Sequence, residues 1–515
     1  STGWDKDRKV YMEFGIDYNR TFGLHKTTAL ILYNQSKYYS PSLQYYVPNA
    51  YQGLVGRLTY EYASRYLAEF NMGYNGTENF AKGKRFGFFP AVSLGWVISE
   101  EKFFPKNNIV KYLKVRGSYG EVGNDQIGGD RFLYLPSSYG AASDSGVNKY
   151  NFGLASNPYT SLMIVENKIG NPDLTWEKAK KMNVGVDINL FNNCLTASFD
   201  IFKEKRNNIL ANRSTSPMII GANLPAYNFG EMENRGWEMD LNFRHHIQDF
   251  HYWARFNYSF ARNEIIYMDE VQKRYDYQMT TGRRKNQFFG LIFDGYYNSW
   301  EEINALDRPK SSWSGNQLQP GDVKYVDVNQ DGVIDDYDMV PIGYTPVPEI
   351  IYGFSFGAQY KGFDFSILFQ GADNVSIKYF GRSMWPFAKG EESAKSLIKE
   401  RWTQERYEAG EKITFPRLSL NPNGETDHNY RPSTLWIRDA SYLRLKNLEV
   451  GYTFTGGFVK RLNLNSVRLY FNGSNLFTWT DVVDLDPEAP SRSGNVEINT
   501  YPLQKVYNIG LNINF

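Results

Sequence analysis

The sequence predicts an all-β protein whose strands build a transmembrane antiparallel β-barrel. Three observations carry that prediction. Apolar and polar residues alternate with period two along most of the chain, short and long connections alternate, and the last strand ends on an aromatic residue. Successive side chains of a strand point to opposite faces, so each alternating segment has one apolar and one polar face.

The alternation runs through residues 12–18, 68–74, 182–190, 195–201, 237–243, 254–260, 354–360, 467–471 and 507–515. In the third of these, Met182, Val184, Val186, Ile188 and Leu190 are apolar, while Asn183, Gly185, Asp187 and Asn189 lie between them. Helical periodicity is rare, and its best stretch is residues 391–405, inside a long connection. A soluble β-sandwich also alternates, and two features favour the membrane. Residues 176–190 and 227–247 are long strands, against about 5–6 residues in an ordinary sheet and about 9–11 in a tilted membrane strand. Aromatics also gather at strand ends, as at Tyr38, Tyr39, Tyr45 and Tyr46, where the interface girdles of a membrane barrel lie.

Tight turns are expected at residues 21–23, 64–65, 191–193, 248–249 and 361–362, and long excursions at 38–50, 123–173, 211–226, 371–435 and 480–503. Outer-membrane barrels have short periplasmic turns and long outer loops, so the turns orient every strand. Residues 287–298 read as a strand that would break this orientation if it spanned. The consistent solution makes 268–348 one outer excursion holding a non-spanning strand and leaves about 15 spanning strands. An odd number with an external start departs from the even count of bacterial barrels. The expectation is therefore the C-terminal part of a larger barrel, interrupted in an outer loop, where proteolytic nicking is easiest. Ser1 in place of Met, with no signal-like apolar stretch behind it, fits that expectation.

Composition narrows the function classes. Lys+Arg number 57 and Asp+Glu 56, a formal charge of +1, against the basic excess of a nucleic-acid binder. Aromatics make up 17% of the chain, which excludes a disordered protein. Cys194 is the single cysteine, so there is no intrachain disulfide framework. The mean hydropathy of −0.52 hides alternation, because lipid-facing and water-facing residues cancel in the average. No HExxH, GxSxG, GxGxxG or P-loop pattern is present, and no carboxylate pair stands out as an acid–base dyad, so no enzyme is expected.

Several blocks carry a family resemblance. Asn171-Pro-Asp-Leu-Thr-Trp-Glu177 is followed by Asn183-Val-Gly-Val-Asp187. Before them come Phe89-Pro-Ala-Val-Ser-Leu-Gly-Trp96, Tyr112-Leu-Lys-Val-Arg-Gly-Ser-Tyr119 and Gly123-Asn-Asp125. After them come Glu233-Asn-Arg-Gly-Trp-Glu238, Asp439-Ala-Ser-Tyr-Leu-Arg-Leu-Lys-Asn-Leu448 with Gly451-Tyr452, Ser474-Asn-Leu-Phe-Thr-Trp479 and Tyr501-Pro502. Tyr507, Ile509, Leu511, Ile513 and Phe515 close the chain on one face, similar to the C-terminal signature of outer-membrane proteins. From about Gly53 to Phe515 the chain resembles the SusC/RagA family of TonB-dependent outer-membrane transporters. The resemblance implies a bacterial outer-membrane location and a plugged barrel of 22 strands. About seven strands, the plug, the signal peptide and the TonB-contacting segment would lie outside this chain, leaving residues 1–515 as one part of a single barrel domain with long outer loops at 123–173, 268–348 and 371–435.

The sharpest chemical motif is Asp327-Val-Asn-Gln-Asp-Gly-Val-Ile-Asp-Asp-Tyr-Asp338. It follows the calcium-loop pattern, with Asp338 in place of the usual Glu at the twelfth position. Calcium takes six to eight oxygens. Asp327, Asn329 and Asp331 offer side-chain oxygens, Val333 its carbonyl, Asp335 a direct or water-mediated contact, and Asp338 the closing carboxylate. The expectation is a divalent cation, Ca2+ or Mg2+, and the alternative is a polar loop of Asx turns. No organic cofactor is expected. In the loop at 371–435, Trp385, Phe387 and Trp402 are candidate ligand platforms, since aromatic faces stack on sugar rings or grip peptides; packing of a large loop is the alternative. His245, His246 and His251 flank a turn and are read as solvated.

Two functions remain. By resemblance, the chain is the barrel of an active nutrient importer for oligosaccharide or peptide. Its partners are then a SusD-like surface lipoprotein acting as a lid, the plug-bearing part of the same transporter and TonB. The other reading is a paralogue acting as an assembly subunit of an outer-membrane complex. A passive pore of 15 strands fails on its odd count.

Overall fold

The computed structural model describes residues 6–515 except 42, 44–46, 127–130, 136–139, 142–148, 155–158, 163, 166–168, 216–223, 314–317, 380–384, 388–395, 420–426, 484, 489–494 and 497–502. Fifteen strands join in one antiparallel sheet whose spatial order follows the chain without a crossover. They are β1 (Arg8–Phe22), β2 (His25–Tyr39), β3 (Asn49–Tyr62), β4 (Tyr66–Thr77), β5 (Phe86–Val97), β6 (Val110–Asn124), β7 (Glu177–Leu190) and β8 (Leu195–Ala211). Then follow β9 (Tyr227–Ile247), β10 (Phe250–Tyr267), β11 (Ile350–Tyr360), β12 (Phe363–Asp373), β13 (Tyr442–Phe454), β14 (Ser466–Thr480) and β15 (Val506–Asn514). No helix among the described residues is long and apolar enough to cross a membrane; the strands do the crossing.

Register shows why this sequence makes a membrane wall. Paired residues face the same side of a sheet, so β3 to β6 present three outward rows: Tyr62–Tyr66–Trp96–Val115, Tyr60–Ala68–Leu94–Gly117 and Leu58–Phe70–Val92–Tyr119. Leu58, Phe70, Val92, Leu94 and Tyr119 are exposed, which in water would form an apolar patch larger than a monomer tolerates. Against lipid the same face is the favourable one. The opposite face of these strands carries Arg57 and Glu69, paired at 3.0 Å.

Connections differ sharply between the two ends of the strands. Lys361 and Gly362, between β11 and β12, both have positive φ (45° and 91°). That is the left-handed geometry of a two-residue hairpin turn, which glycine adopts without a steric cost. The connections 98–109 and 455–465 on the same side are longer, with a 3-10 turn at Ile98–Glu100 and a helix at Phe458–Arg461. At the other end, residues 125–176, 268–349 and 374–441 are long excursions with their own short strands. Within the second, Phe289–Gly290 pairs with Val340–Pro341 and Phe293–Tyr296 with Val323–Tyr325, so the segment at 287–298 does not span. The helical periodicity at 391–405 resolves otherwise than its length suggests: residues 391–395 lie outside the described residues, and the rest is a 3-10 turn at Ser396–Glu400 and a helix at Gln404–Glu408. Thr403 starts that helix by accepting from Arg406 N, and the backbone N of Trp402 donates to Phe415 O at 2.8 Å, which breaks a continuous helix.

By internal packing the chain divides into two units: 1–188, 200–235 and 263–271 in the first, and 189–199, 236–262 and 272–515 in the second. The first is cored by Phe80, Phe89, Leu133, Leu174 and Trp176. The second has a larger core, made almost entirely from its outer excursions, that includes Leu291, Val323, Tyr379, Trp402, Phe415, Tyr430 and Trp436.

The two faces of β5 give an experimental contrast. Val92→Arg, on the outward face, is expected to cost about 2–4 kcal/mol at the bilayer midplane. The neighbouring Ser93→Arg, on the opposite face, is expected to cost under about 1 kcal/mol. Urea unfolding of the protein reconstituted in vesicles measures both, and equal costs would contradict the assignment of faces.

Candidate functional site

On the inward face of the first unit, Arg116 of β6 lies between two carboxylates. It donates through Nη1 and Nη2 to Asp200 at 2.6 Å each, and through Nε and Nη2 to Asp187 at 3.1 and 3.2 Å. A guanidinium fork matches carboxylates in this bidentate manner. The trio stitches β6, β7 and β8, and Arg116 lines a cavity of about 410 Å3 together with Lys26, Glu61, Glu69 and Lys114. The second unit repeats the device: Arg468 of β14 donates to Asp364 of β12, with Nε at 3.0 Å, and to Glu449 of β13 at 2.5 Å. Each arginine is thus neutralised by two carboxylates of neighbouring strands on a polar inward face.

The outer excursions of the second unit form a structured ledge around the turn at residues 427–430. Asn429 Nδ2 donates to Asp322 Oδ1 at 2.8 Å, and Asn429 Oδ1 accepts from Val323 N at 2.9 Å. Asn429 O accepts from Trp436 Nε1, and His428 O from Tyr325 OH. The ring of His428 is buried, and its Nε2 lies 2.8 Å from Val323 O. A carbonyl only accepts, so the proton sits on Nε2 and Nδ1 is left to accept from Ser311 Oγ at 2.9 Å. Burial pushes the His428 pKa down, with Arg308 adding to the effect and Val323 O, Asp322 and Asp427 opposing it. The ledge is tied to the sheet by Glu349, which Arg262 grips at 2.9 and 2.8 Å and Arg284 and Asn374 also contact. Burial alone would raise the Glu349 pKa, but the two arginines outweigh it and hold it below its ordinary range.

The candidate platform residues differ in what they leave free. Trp402 is 8% exposed, and its Nε1 donates to Asn298 Oδ1 at 3.1 Å, so its ring belongs to the ledge core. Trp385 is half-buried with its ring 6.1 Å from that of Tyr430. Phe387 is half-buried at a left-handed φ of 64°. Both are less enclosed than Trp402, although Trp385 also packs against the ledge core.

In the Asp-rich loop, four of the five carboxylates accept backbone N–H groups. Asp327 accepts from Gln330 and Gly332, Asp331 from Val333, Asp335 from Tyr337, and Asp338 from Val328, Asn329 and Asp335. Asn329 Oδ1 accepts from Asp331 N. Val333 lies in a two-residue strand, Val333–Ile334, beside Lys310–Ser311. Among the described residues no three His, Cys, Asp or Glu side chains converge as a metal-ligand group. The geometry is a chain of Asx turns whose unused lone pairs remain available. Burial raises the Asp338 pKa, the charge of Asp327 adds to the rise, and its three N–H donors oppose it.

Several sequence blocks that lie far apart meet here. Phe89 packs edge-on against Trp176, with ring centroids 5.2 Å apart, and a Cβ on Gly123 would lie 2.0 Å from the Phe89 ring. Arg116 and Asp187 come from two more blocks. A family model described as TonB dependent receptor-like, beta-barrel matches residues 1–476. The chain belongs to this family. It is an outer-membrane β-barrel protein of the TonB-dependent receptor type, and the SusC/RagA resemblance holds. It is 28% identical over 477 residues to the TonB-dependent receptor SusC of Bacteroides thetaiotaomicron, covering 92% of this chain and 44% of that protein. It is also 28% identical over 479 residues to the TonB-dependent receptor P3 of Formosa agariphila, covering 89% and 45%. The structure of the RagAB peptide transporter superposes with a TM-score of 0.75 at 22% identity, over 99% of this chain and 56% of that one, which shows a shared fold. The chain spans about half the length of these relatives.

Sequence reasoning missed the Arg116 and Arg468 trios and the His428–Asn429 turn. Arg116 and Asp187 stood inside recognisable blocks, so a signal existed; His428 bonds partners over 100 positions away and left none.

The ledge of this TonB-dependent receptor is expected to loosen in two acid steps. A histidine with a lowered folded pKa stabilises fully above its unfolded value of 6.5 and loses that contribution as pH falls below it. Glu349, also lowered, stabilises above 4.5 and loses its contribution as pH falls further. Hydrogen exchange of residues 320–345 and 427–440, corrected for intrinsic rates, should rise first as pH falls below 6.5 and again as it falls below 4.5. His428→Asn should abolish the first step alone, and its persistence would refute the assignment.

Proposed function

We propose that this chain forms the wall and outer ledge of a TonB-coupled importer of oligomeric nutrients, oligosaccharide in preference to peptide. A SusD-like surface lipoprotein is its lid, and the plug-bearing part of the same transporter links it to TonB. The observation that carries this reading is the ledge itself. Outer loops of an ordinary pore need no core of their own. Here they enclose a core of buried tryptophans and tyrosines in which Trp402, Trp436 and Tyr325 are hydrogen-bonded, a structured surface suited to a partner and a captured ligand. The polar inward face supports passage of a polar solute, and Trp385 and Phe387 supply faces for sugar rings or apolar peptide side chains.

Two variants separate recognition from packing. Trp385→Ala should weaken ligand binding about tenfold, with a smaller loss of stability than at Trp402 because its ring is only half-buried against that core. Trp402→Ala should cost about 3–5 kcal/mol of stability through a core cavity. The experiment that tests the proposal compares wild-type and gene-deleted cells for uptake of labelled oligosaccharide and peptide pools, with and without TonB, alongside affinity purification. Uptake that needs both the protein and TonB, with a co-purifying lipoprotein, is the expected result. Unchanged uptake, with other outer-membrane proteins co-purifying instead, would overturn it in favour of an assembly role.

A structural divalent cation in the Asp327–Asp338 loop is a separate proposal. It is supported by an all-oxygen donor set suited to calcium that has no ion pair among the described residues. Asp327, Asn329, Asp331, Asp335, Asp338 and the Val333 carbonyl would hold it, at the expense of some Asx-turn bonds. Chelation should speed hydrogen exchange across residues 325–340 and restored calcium should reverse it; exchange indifferent to calcium would leave the loop held by its own N–H groups.

A further inference from the structure

The outward face of β3 to β6 carries a slot that nothing in the transport reading uses. Of the three outward rows described above, the middle one loses its bulk at Ala68 and Gly117, while the rows on either side are filled. The result is an open, almost wholly apolar cavity of about 600 Å3 with Tyr60, Tyr66 and Trp96 at its rim. The slot is real space rather than a tight backbone crossing: a Cβ built on Gly117 would meet only the Asn183 carbonyl oxygen, at 3.8 Å. Its depth in the membrane is fixed by the rim. Tyr66 OH and Trp96 Nε1 both donate to Glu101 Oε1, at 2.6 and 3.0 Å, and aromatic rings with one wet end sit at the level of lipid headgroups. This end of the strands is the tight-turn end, which faces the periplasm in an outer-membrane barrel. Beside the rim stands a cation, Arg65, whose side chain is 27% exposed and whose Nη1 lies 3.8 Å from Glu101 Oε2.

We propose that this slot holds one acyl chain of a glycerophospholipid of the periplasmic leaflet, with its phosphate beside Arg65. The occupant follows from the page. The slot opens on the face that lipid covers, its lining is almost wholly apolar, and the cation at its mouth is part-exposed and, among the described residues, held only by a long contact to Glu101, whose other oxygen is taken by Tyr66 and Trp96. An acyl chain gains by burial between aromatic rings and a glycine floor, and a phosphate pairs with the part-exposed Arg65 guanidinium. The site differs from ordinary annular contact in being concave and in having a headgroup anchor at one end.

Native mass spectrometry of the full-length protein, extracted from the outer membrane and progressively delipidated, tests this. Wild type should keep one phospholipid after the rest are stripped. Gly117→Leu and Ala68→Leu each fill the slot from a different strand and should each lower retention about tenfold, the equivalent of roughly two buried methylenes. Arg65→Gln should also lower retention, whereas Tyr119→Ala, outside the slot, should leave it unchanged. Heat-modifiable gel mobility identifies which variants are folded, and two filling variants guard against loss of either. A phosphatidylethanolamine with a diazirine in its acyl chain should label peptides containing Tyr66 or Trp96 in wild type and not in the filled variants. Retention equal to wild type in a folded filling variant, or labelling spread evenly over the wall, would overturn the proposal.

Discussion

Backbone hydrogen bonding in a medium without water is the constraint on which the rest of this structure depends. An unpaired N–H or C=O in hydrocarbon costs several kcal/mol, so a membrane strand must find partners on both sides within the protein. A sheet whose order follows the chain achieves this for β2 to β14 with local pairings, each strand bonding the one just made. The period-two alternation then sorts side chains between lipid and interior. A one-residue slip in any pair would exchange the two faces, so the registers of β3 to β6, which keep Leu58, Phe70, Val92 and Tyr119 in one row, are fixed by the membrane as much as by the turns.

Once the wall is set, charge must be managed on its inner side. The recurring device is an arginine held by two carboxylates on neighbouring strands, Arg116 with Asp187 and Asp200, and Arg468 with Asp364 and Glu449. Such pairs contribute modestly where they are exposed. Their chief effect is local, since each arginine is matched by two carboxylates and the three strands that carry them are cross-linked on the polar face. Outside the membrane the problem changes. The long excursions of the second unit cannot rely on lipid, so they build a water-soluble core of their own around Trp402, Tyr430 and Trp436.

The family blocks acquire a physical meaning in this frame. Phe89, Leu174 and Trp176 are apolar residues from two blocks in one cluster that ties an outer excursion to β5, and the glycine at 123 leaves room for the Phe89 ring. Arg444, from the block at 439–448, is 2% exposed and donates to Asp486 at 2.7 Å, with Glu488 also in contact, which fastens the last outer excursion to β13. The blocks are joints between wall and loop, which is why they stand out from a background of interchangeable alternating strands.

How much was legible follows from the range of each interaction. The wall was legible: alternation, strand length and turn asymmetry are local properties, and they suffice for about 15 spanning strands, their orientation and the non-spanning segment at 287–298. The helix expected at 391–405 was misread because Trp402 takes a backbone partner in Phe415, outside its own segment. Of the candidate platforms, the sequence could identify the aromatics but not that Trp402 is enclosed while Trp385 and Phe387 are less so, since enclosure depends on Asn298 and Tyr430 arriving from elsewhere. By itself, then, the sequence determined an outer-membrane β-wall, because a membrane imposes one rule on every strand in turn. Only the tertiary structure decided the arginine trios, the His428–Asn429 turn and the slot over Gly117, because each is assembled from strands or loops whose meeting no local pattern records.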